Sequence, residues 1–316
     1  MTVAGSSPQP DAPSRLRAYV VLGKLAFYDY YLAAFVVIAA LPASRLDNPG
    51  SYVTLVLYFA GYAGVVAASA TLDDVTGIRD GSDERNYAPE QGALRDRSRK
   101  PLLSGVLTAR EAERFAGVAA LWGLALWSLT YATAPDPPLW AAFALLAALV
   151  SNLQYSYGLK LSYRGGQELL LLTPGLAVLL PFVLIEGSVS GLIWTETLLV
   201  GLWSLMVSIY SNINDVEGDR QVGRRNLATL TTPAGYRRVV AAVHLLEPLT
   251  VAAAIALGAV PFWFVLPMIP LYAMRFQQAR SGLARGEVLR ARLLGIKLHR
   301  WGVPVLVGLN ILVEHV

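Results

Sequence analysis

The sequence predicts an all-α integral membrane protein with about nine transmembrane helices. Two observations support this prediction: long apolar segments alternate with short polar connections, and the few charged residues are sorted by connection. Of the 316 residues, 55% are hydrophobic and 15% are charged, whereas soluble domains contain about 25% charged residues. Fibrous and disordered proteins are excluded, because a chain of this composition would then expose a large apolar surface to water.

Nine segments carry enough apolar residues to approach the length of about 20 residues that a membrane-spanning helix needs. The predicted spans are 18–42, 51–72, 110–134, 138–158, 167–186, 192–212, 237–258, 260–275 and 296–313. Residues 1–14 are rich in Pro and Ser and are expected to form a disordered cytoplasmic tail. The prediction assigns residues 15–316 to a single membrane domain.

The Lys and Arg residues test this segmentation. All of the 26 except Arg45 fall near the N-terminus, in alternate connections or in the span ends that adjoin them, on the same predicted side of the membrane. Because cytoplasmic connections carry the excess of Lys and Arg, we expect a cytoplasmic N-terminus and an extracytoplasmic C-terminus. The net charge of +4 is then an orientation signal, and no nucleic acid partner is expected.

The residue types that are missing exclude several chemistries. The chain has no cysteine and three histidines. Disulfides, iron–sulfur clusters, thiolate zinc sites and cysteine nucleophiles are therefore excluded, and a histidine-rich metal site is not expected. The glycines form no phosphate-binding loop of the nucleotide-binding types.

Acidic residues cluster after the second and sixth spans, on the side that carries the basic residues. Residues 73–84 read DDVTGIRDGSDE, and residues 212–219 read NINDVEGD. If both helices continue past the membrane, helical spacing aligns Asp73, Gly77, Asp80 and Glu84 on one face, and Ser208, Asn212, Asp215 and Asp219 on another. Acidic loop residues are often only solvated, but two such faces at equivalent depth favour one shared site.

Carboxylates without histidine or cysteine select hard divalent cations, Mg²⁺ above all, and substrate phosphates usually complete the coordination of that ion. The candidate metal ligands are Asp73, Asp74, Asp80, Asp215 and Asp219. Neighbouring Arg79, Lys100 and Asn212 are candidates for contacts to a diphosphate. A metal-bound diphosphate is a leaving group, and its departure from an allylic hydrocarbon would produce a carbocation that preorganised charges stabilise.

Three further motifs resemble those of the UbiA superfamily of intramembrane prenyltransferases. NDVEGDRQVGRRNLATL (214–230) resembles the second Asp-rich motif D-x-E-G-D-[RK]-x-x-G-x-x-[ST]-L, with Asn226 at the Ser or Thr position. RKPLLSG (99–105) resembles R-P-L-x-x-G, and YSYGLKLSYRGG (155–166) resembles the segment between helices four and five. The resemblance implies nine helices around a central, lipid-accessible cavity with a cytoplasmic cap formed by the 2–3 and 6–7 loops.

The resemblance also implies site residues. Asp215 and Asp219 match metal or diphosphate carboxylates, Arg220 matches their basic neighbour, and Lys160 and Arg164 match basic residues that face the diphosphate. The first motif, usually N-D-x-x-D-x-x-x-D, departs from the family. One alignment places Asp73 and Asp80 at its second and last positions, and the alternative places Asp74 at the first Asp and Gly77 at the middle one.

Aromatic and ionisable residues within the spans are further candidates. Tyr210 lies one turn before the second acidic cluster and Tyr62 lies on the helix that leads to the first, and their rings could stabilise an allylic cation. Either of two charged residues in the first span, Lys24 or Asp29, could line the cavity, because charges within the membrane are usually functional. Glu247 is expected either to pair across helices or to contact an acceptor.

The sequence therefore predicts a multi-pass membrane enzyme with a cytoplasmic active site. Its predicted reaction is Mg²⁺-dependent transfer of a prenyl group from a polyprenyl diphosphate to an aromatic or other small lipophilic acceptor. A terpene cyclase that ionises the diphosphate without an external acceptor is the alternative. An ion-coupled transporter is disfavoured, because transporter sites lie near the membrane midplane.

Overall fold

A computed structural model describes residues 14–26, 29, 31–87 and 97–315, so the predicted tail lies almost entirely outside the described residues. Within these ranges the chain forms helices and turns and contains no β-strand. The α-helices are α1 (Arg15–Leu22), α2 (Ala33–Ala40), α3 (Ala43–Leu46), α4 (Pro49–Arg79), α5 (Ser82–Asn86), α6 (Ala109–Thr133), α7 (Leu139–Leu153), α8 (Gln167–Leu170), α9 (Leu176–Glu186), α10 (Gly191–Gln221), α11 (Leu227–Leu230), α12 (Pro233–Ala256), α13 (Val265–Ala279) and α14 (Val288–Glu314).

The prediction of an all-α membrane bundle is confirmed, and each of the nine predicted segments contains helix. Six helical segments among the described residues are long and apolar enough to cross a membrane: α4, α6, the run from α8 to α9, α10, α12 and α14. The shorter α7 is also apolar. The expectation of one continuous span over 18–42 is wrong, because α1 ends at Leu22 and α2 begins at Ala33.

The break between α1 and α2 has a physical reason. A continuous helix there would carry Lys24 and Asp29 through the hydrocarbon region, where charges are costly. Instead Lys24 adopts a left-handed backbone conformation with φ of 51°. The Asp29 carboxylate accepts hydrogen bonds from Arg300 of α14 at 2.5 and 3.1 Å. The broken segment is thereby tied to the last helix.

Two long helices, α4 and α10, form the centre of the bundle. Helix α4 packs most extensively against α6, and small residues permit this close approach. A β-carbon on Gly64 would lie only 2.6 Å from the carbonyl oxygen of Ala119. Helix α10 packs against α9, α12 and α14, with Trp203 and Met206 fully buried. Each central helix carries one acidic cluster near its C-terminal end.

The helical face predicted from Asp73 to Glu84 is only partly correct. Helix α4 ends at Arg79, and Gly81, with φ of 75°, turns the chain into the separate helix α5. The helical spacing therefore stops before Glu84, which is exposed. Helix α5 packs against both α4 and α10, and together with α11 it forms helical structure in the loops that were predicted to form a cap.

Ionisable residues within the helices pair across the bundle. Arg275 of α13 donates to Glu247 of α12 at 2.6 Å, and both side chains are buried. This contact matches the structural alternative for Glu247. Breaking a buried pair of this kind typically costs about 3–5 kcal/mol, so the contact secures α12 against α13.

Candidate active site

A cavity of about 340 Å³ lies between α4 and α10 at the end of the bundle that carries the acidic clusters. Its wall contains acidic, basic and amide side chains beside apolar ones. Of the candidates for metal and diphosphate binding, the structure brings Asp73, Lys100, Asn212, Asp215 and Asp219 to this wall.

One face of α10 supplies two of the four carboxylates in the cavity wall. Ser208, Asn212, Asp215 and Asp219 all line the cavity, as their helical spacing predicts. They are placed there because α10 continues to Gln221, well past its apolar run. The amide of Gln167 donates to the Oδ1 atom of Asn212 at 3.2 Å and joins α8 to this face.

Helix α4 contributes Asp73 from the opposite wall. The hydroxyl of Ser156 donates to its Oδ1 atom at 2.5 Å, and the Nη2 atom of Arg224 donates to the same oxygen at 3.4 Å. Thr76, one turn along α4, donates to the carbonyl oxygen of Ser156 at 2.9 Å. The segment after α7 is thereby fixed against α4 and orients the Asp73 carboxylate.

Arg224 joins the two acidic clusters. Its Nε atom lies 3.9 Å from the Oδ1 atom of Asp219, and its guanidinium stacks 4.7 Å from the ring centre of Tyr163. Gly223, with φ of 75°, makes the turn that directs Arg224 inward. Burial lowers the pKa of Arg224, but Asp73 and other negative neighbours outweigh this effect and raise the pKa above its usual value. Arg224 is therefore a permanent cation in the cavity wall.

Lys100 makes the corresponding contacts in the first acidic cluster. Its Nζ atom donates to Asp74 at 2.7 Å and to Asp83 at 2.9 Å. Burial lowers the pKa of Lys100, but the two carboxylates more than compensate and raise it above its usual value. Asp74 is therefore engaged with a lysine, while Asp83, which the sequence argument did not select, lines the cavity.

Asn226, the departure from the second motif, serves two functions in the structure. Its Oδ1 atom accepts from the backbone N–H of Thr229 at 2.9 Å and caps α11. Its Nδ2 atom donates to Asp219 at 2.8 Å. One amide thus begins the short helix and orients a cavity carboxylate.

The remaining predicted residues lie outside the described cavity wall. Asp80 ends α4, where it accepts from the N–H of Ser82 at 3.0 Å and from the hydroxyl of Tyr163. Arg79 points away and pairs with Glu113 at 2.7 Å. Arg79 is still part of α4, and six positions after Asp73 the helical spacing places it away from the Asp73 face. Asp80 follows the last residue of α4, where the chain turns into α5.

Three other basic residues also lie outside this wall. The Nζ atom of Lys160 stacks 4.9 Å from the ring centre of Tyr163, and Arg164 is exposed. The side chain of Arg220 is 54% exposed and lies 3.8 Å from Glu217 on the outer face of α10. In the connection between α10 and α11, the basic residue that reaches the acidic clusters is Arg224.

The two selected tyrosines have different positions. Tyr62 lines the cavity and stacks with Trp127 and Tyr58. Tyr210 is buried elsewhere, and its hydroxyl lies 2.8 Å from the Nε2 atom of His244. Its ring fills the space above Gly282, where a β-carbon would clash with it.

A second cavity of about 470 Å³ adjoins the first. Lys24, Arg99, Lys100 and Arg292 line both cavities. The second wall also contains Asp29 and Asp74, and apolar residues of α1 and α14 such as Val20 and Ile296. Four carboxylates therefore line the first cavity and two line the second, and the same four basic residues lie on both walls.

The acidic wall suits a cation that is shared with a ligand. Among the described residues, no three acidic, histidine or cysteine side chains are grouped closely enough to hold a metal ion by themselves. The donors on the wall are carboxylate and amide oxygens, which match the preference of Mg²⁺. Such an ion usually keeps waters or takes ligand phosphate oxygens, and the nearby Lys100 and Arg224 supply charge for the remaining oxygens.

Arg224 and Asp83 are the contributors that sequence reasoning missed. The turn residue Gly223 directly before Arg224 was an available signal, because a glycine turn can redirect the chain toward the motif. Asp83 had no such signal, because its position depends on the break between α4 and α5.

These features define a multi-pass membrane protein with a charged cavity at one end of its helix bundle. The family model described as the UbiA prenyltransferase family matches residues 31–299, so the chain belongs to that family. Comparison with curated proteins finds no match.

Solved structures with the same fold support this assignment. A structure of digeranylgeranylglyceryl phosphate synthase has a TM-score of 0.65 and 14% identity, with 95% of this chain and 99% of that chain covered. A UbiA homologue from Aeropyrum pernix K1 has a TM-score of 0.64 and 18% identity, covering 92% and 98%. A UbiA homologue from Archaeoglobus fulgidus bound to DMAPP and Mg²⁺ has a TM-score of 0.62 and 15% identity, covering 91% and 98%. At these identities the comparisons establish the fold.

The double role of Asn226 leads to a prediction about stability. Asn226→Ala should lower the free energy of unfolding by about 1–2 kcal/mol, because it removes a helix cap and the donor to a buried carboxylate. Asn226→Ser should retain most of the stability, because a hydroxyl can also cap the helix. Reversible unfolding of the full chain in detergent measures the difference. Equal losses in the two variants would contradict the capping role.

Proposed function

We propose that this protein transfers a prenyl group from a prenyl diphosphate to a lipophilic acceptor within the membrane, with Mg²⁺ as its cofactor. The observation that carries the proposal is one cavity in which Asp73, Asp215 and Asp219 face Lys100 and Arg224. The relatives from Archaeoglobus fulgidus that were solved with DMAPP and Mg²⁺ and with GPP and Mg²⁺ support it.

Three carboxylates would hold the metal ion: Asp73 from α4, and Asp215 and Asp219 from α10. This assignment fits the all-oxygen donor set. Because no three acidic side chains among the described residues are grouped closely enough to hold the ion alone, diphosphate oxygens would complete its coordination. When bound, Mg²⁺ neutralises charge on the diphosphate and makes it a better leaving group. Asn212 lies on the same face of α10 and would contact a diphosphate oxygen.

Lys100 and Arg224 would bind the diphosphate oxygens and stabilise the negative charge that develops on them. The bond between the diphosphate oxygen and the first prenyl carbon breaks, and its electron pair leaves with the diphosphate. The acceptor then attacks that carbon and loses a proton. Because both cations are fixed by carboxylates before substrate arrives, they stabilise the developing charge with little reorganisation.

The prenyl chain would extend along the apolar part of the cavity. Tyr62, Val66 and Ala70 of α4 line that part, opposite Leu170 and Leu171. Tyr62 is the aromatic residue best placed to stabilise an allylic cation, because its ring belongs to the cavity wall whereas Tyr210 does not.

The adjoining basic cavity favours transfer over cyclisation, because it provides a separate volume for a second molecule. Lys24, Arg99 and Arg292 would suit an acceptor with an anionic group, and the apolar residues beside them would hold its hydrophobic part. The sorting of Lys and Arg supports placing this site at the cytoplasmic face.

The metal assignment predicts the effect of removing either α10 carboxylate. Asp215→Asn and Asp219→Asn should each reduce Mg²⁺-dependent diphosphate release about 100-fold or more, because each removes a preorganised electrostatic group. Release of pyrophosphate from geranyl and geranylgeranyl diphosphate by the purified chain measures the rate. Asp47→Asn, at the exposed end of α3, is the matched control. Wild-type rates in both cavity variants would contradict the assignment.

The presence of a second cavity predicts that turnover depends on an acceptor. Without acceptor, a prenyl diphosphate should be consumed slowly and should yield water-quenched alcohol. Addition of a lipophilic acid or phosphate should accelerate consumption and produce a conjugate, which mass spectrometry of the lipid extract detects. A cyclic hydrocarbon formed at full rate without acceptor would instead identify a terpene cyclase.

A further inference from the structure

One carboxylate of the first acidic cluster, that of Asp83, comes from α5 and not from α4. In one alignment of the first motif, Gly77 stands where the family has its middle Asp. A β-carbon on Gly77 would lie 2.6 Å from the carboxyl carbon of Asp83. The carboxyl group of Asp83, which comes from α5, therefore occupies the space that a side chain at position 77 would need.

The carboxylates of Asp83 and Asp74 together hold the ammonium group of Lys100, and we call these three side chains the Lys100 clamp. The Nζ atom donates to Asp74 at 2.7 Å and to Asp83 at 2.9 Å, and the three side chains are 12%, 4% and 11% exposed. An ammonium has three N–H donors, and the carboxylates engage two of them. The Nζ atom also lies 5.3 Å from the ring centre of Tyr87. Because Lys100 lines both cavities, its ammonium is within reach of a diphosphate bound there.

The contacts to their cations distinguish the two clusters. Asp74 and Asp83 lie 2.7 and 2.9 Å from the Nζ atom of Lys100, so their oxygens already surround a cation. Asp73 and Asp219 lie 3.4 and 3.9 Å from the guanidinium of Arg224, and Asp215 lines the same cavity wall. Because the contacts with Arg224 are longer than those in the Lys100 clamp, the second cluster is the better place for a divalent cation.

We propose that Lys100, clamped by Asp74 and Asp83, takes the place of a metal ion at the first acidic cluster and contacts the diphosphate directly. Asp74 and Asp83 are then positioning residues and not metal ligands, contrary to the sequence-based expectation for Asp74. A single divalent ion binds at Asp73, Asp215 and Asp219. This inference rests on the proposed function. It specifies that a lysine contacts the diphosphate at the first acidic cluster and that a metal ion contacts it at the second.

The number and affinity of bound Mn²⁺ ions test the inference without measuring turnover. We would titrate the detergent-solubilised full chain with Mn²⁺ in the presence of inorganic pyrophosphate and follow free Mn²⁺ by electron paramagnetic resonance. The wild type should bind one ion. Lys100→Met should bind two, because removal of the ammonium leaves two adjacent buried carboxylates that attract a cation. Lys297→Met, an exposed lysine outside both described cavity walls, is the matched control and should bind one.

A milder substitution keeps the test decisive if Lys100→Met does not fold. Asp83→Asn should change Mn²⁺ affinity by less than about twofold and raise the KM for prenyl diphosphate about tenfold, because Lys100 loses one of its two anchors. Asp219→Asn should lower Mn²⁺ affinity about tenfold or more, as loss of a direct ligand requires.

The outcomes separate this inference from the proposed function. Two Mn²⁺ ions in an active wild type, or a tenfold loss of Mn²⁺ affinity in Asp83→Asn, would overturn the lysine clamp and leave prenyl transfer intact. A wild type that binds no Mn²⁺ and releases no pyrophosphate from prenyl diphosphates would overturn both.

Discussion

Charge balance around buried carboxylates is the constraint on which the rest of this structure depends. Five aspartates converge near the ends of α4 and α10, where isolated charges would be strongly destabilising. Lys100 and Arg224 compensate part of this charge, and each comes from a connection and not from a long helix. The connections therefore have to fold over the bundle, and the cavity forms beneath them.

The same constraint links the fold to the proposed chemistry. Arg224 contacts Asp73 and Asp219 only at 3.4 and 3.9 Å, and under the proposed function these carboxylates and Asp215 would hold a divalent cation together with its diphosphate ligand. The fixed positions of Lys100 and Arg224 would then allow them to stabilise a leaving group without rearrangement. The apolar residues of α4 and of the segment after α8 continue the cavity for a hydrocarbon chain.

The long helices and the acidic face of α10 could be predicted from the sequence, because both follow from regular periodicity. Ser208, Asn212, Asp215 and Asp219 remain on one face since α10 continues unbroken to Gln221. The first cluster was less predictable. The left-handed turn at Gly81 ends the regular spacing, and the contact of Lys100 with Asp74 and Asp83 depends on how a distant connection returns. Tyr210 was misleading for a related reason: helical spacing places it near the motif, but contact with His244 turns it away from the cavity.

The central claim is that the cavity carboxylates and a diphosphate share one divalent ion. Electron–nuclear double resonance of Mn²⁺ in the full chain, with inorganic pyrophosphate added, measures this contact through the coupling of the ion to ³¹P. The account predicts a ³¹P coupling in the wild type that disappears when both Asp215 and Asp219 are changed to Asn. A protein-bound Mn²⁺ without phosphorus coupling, or a coupling that survives loss of both carboxylates, would contradict it.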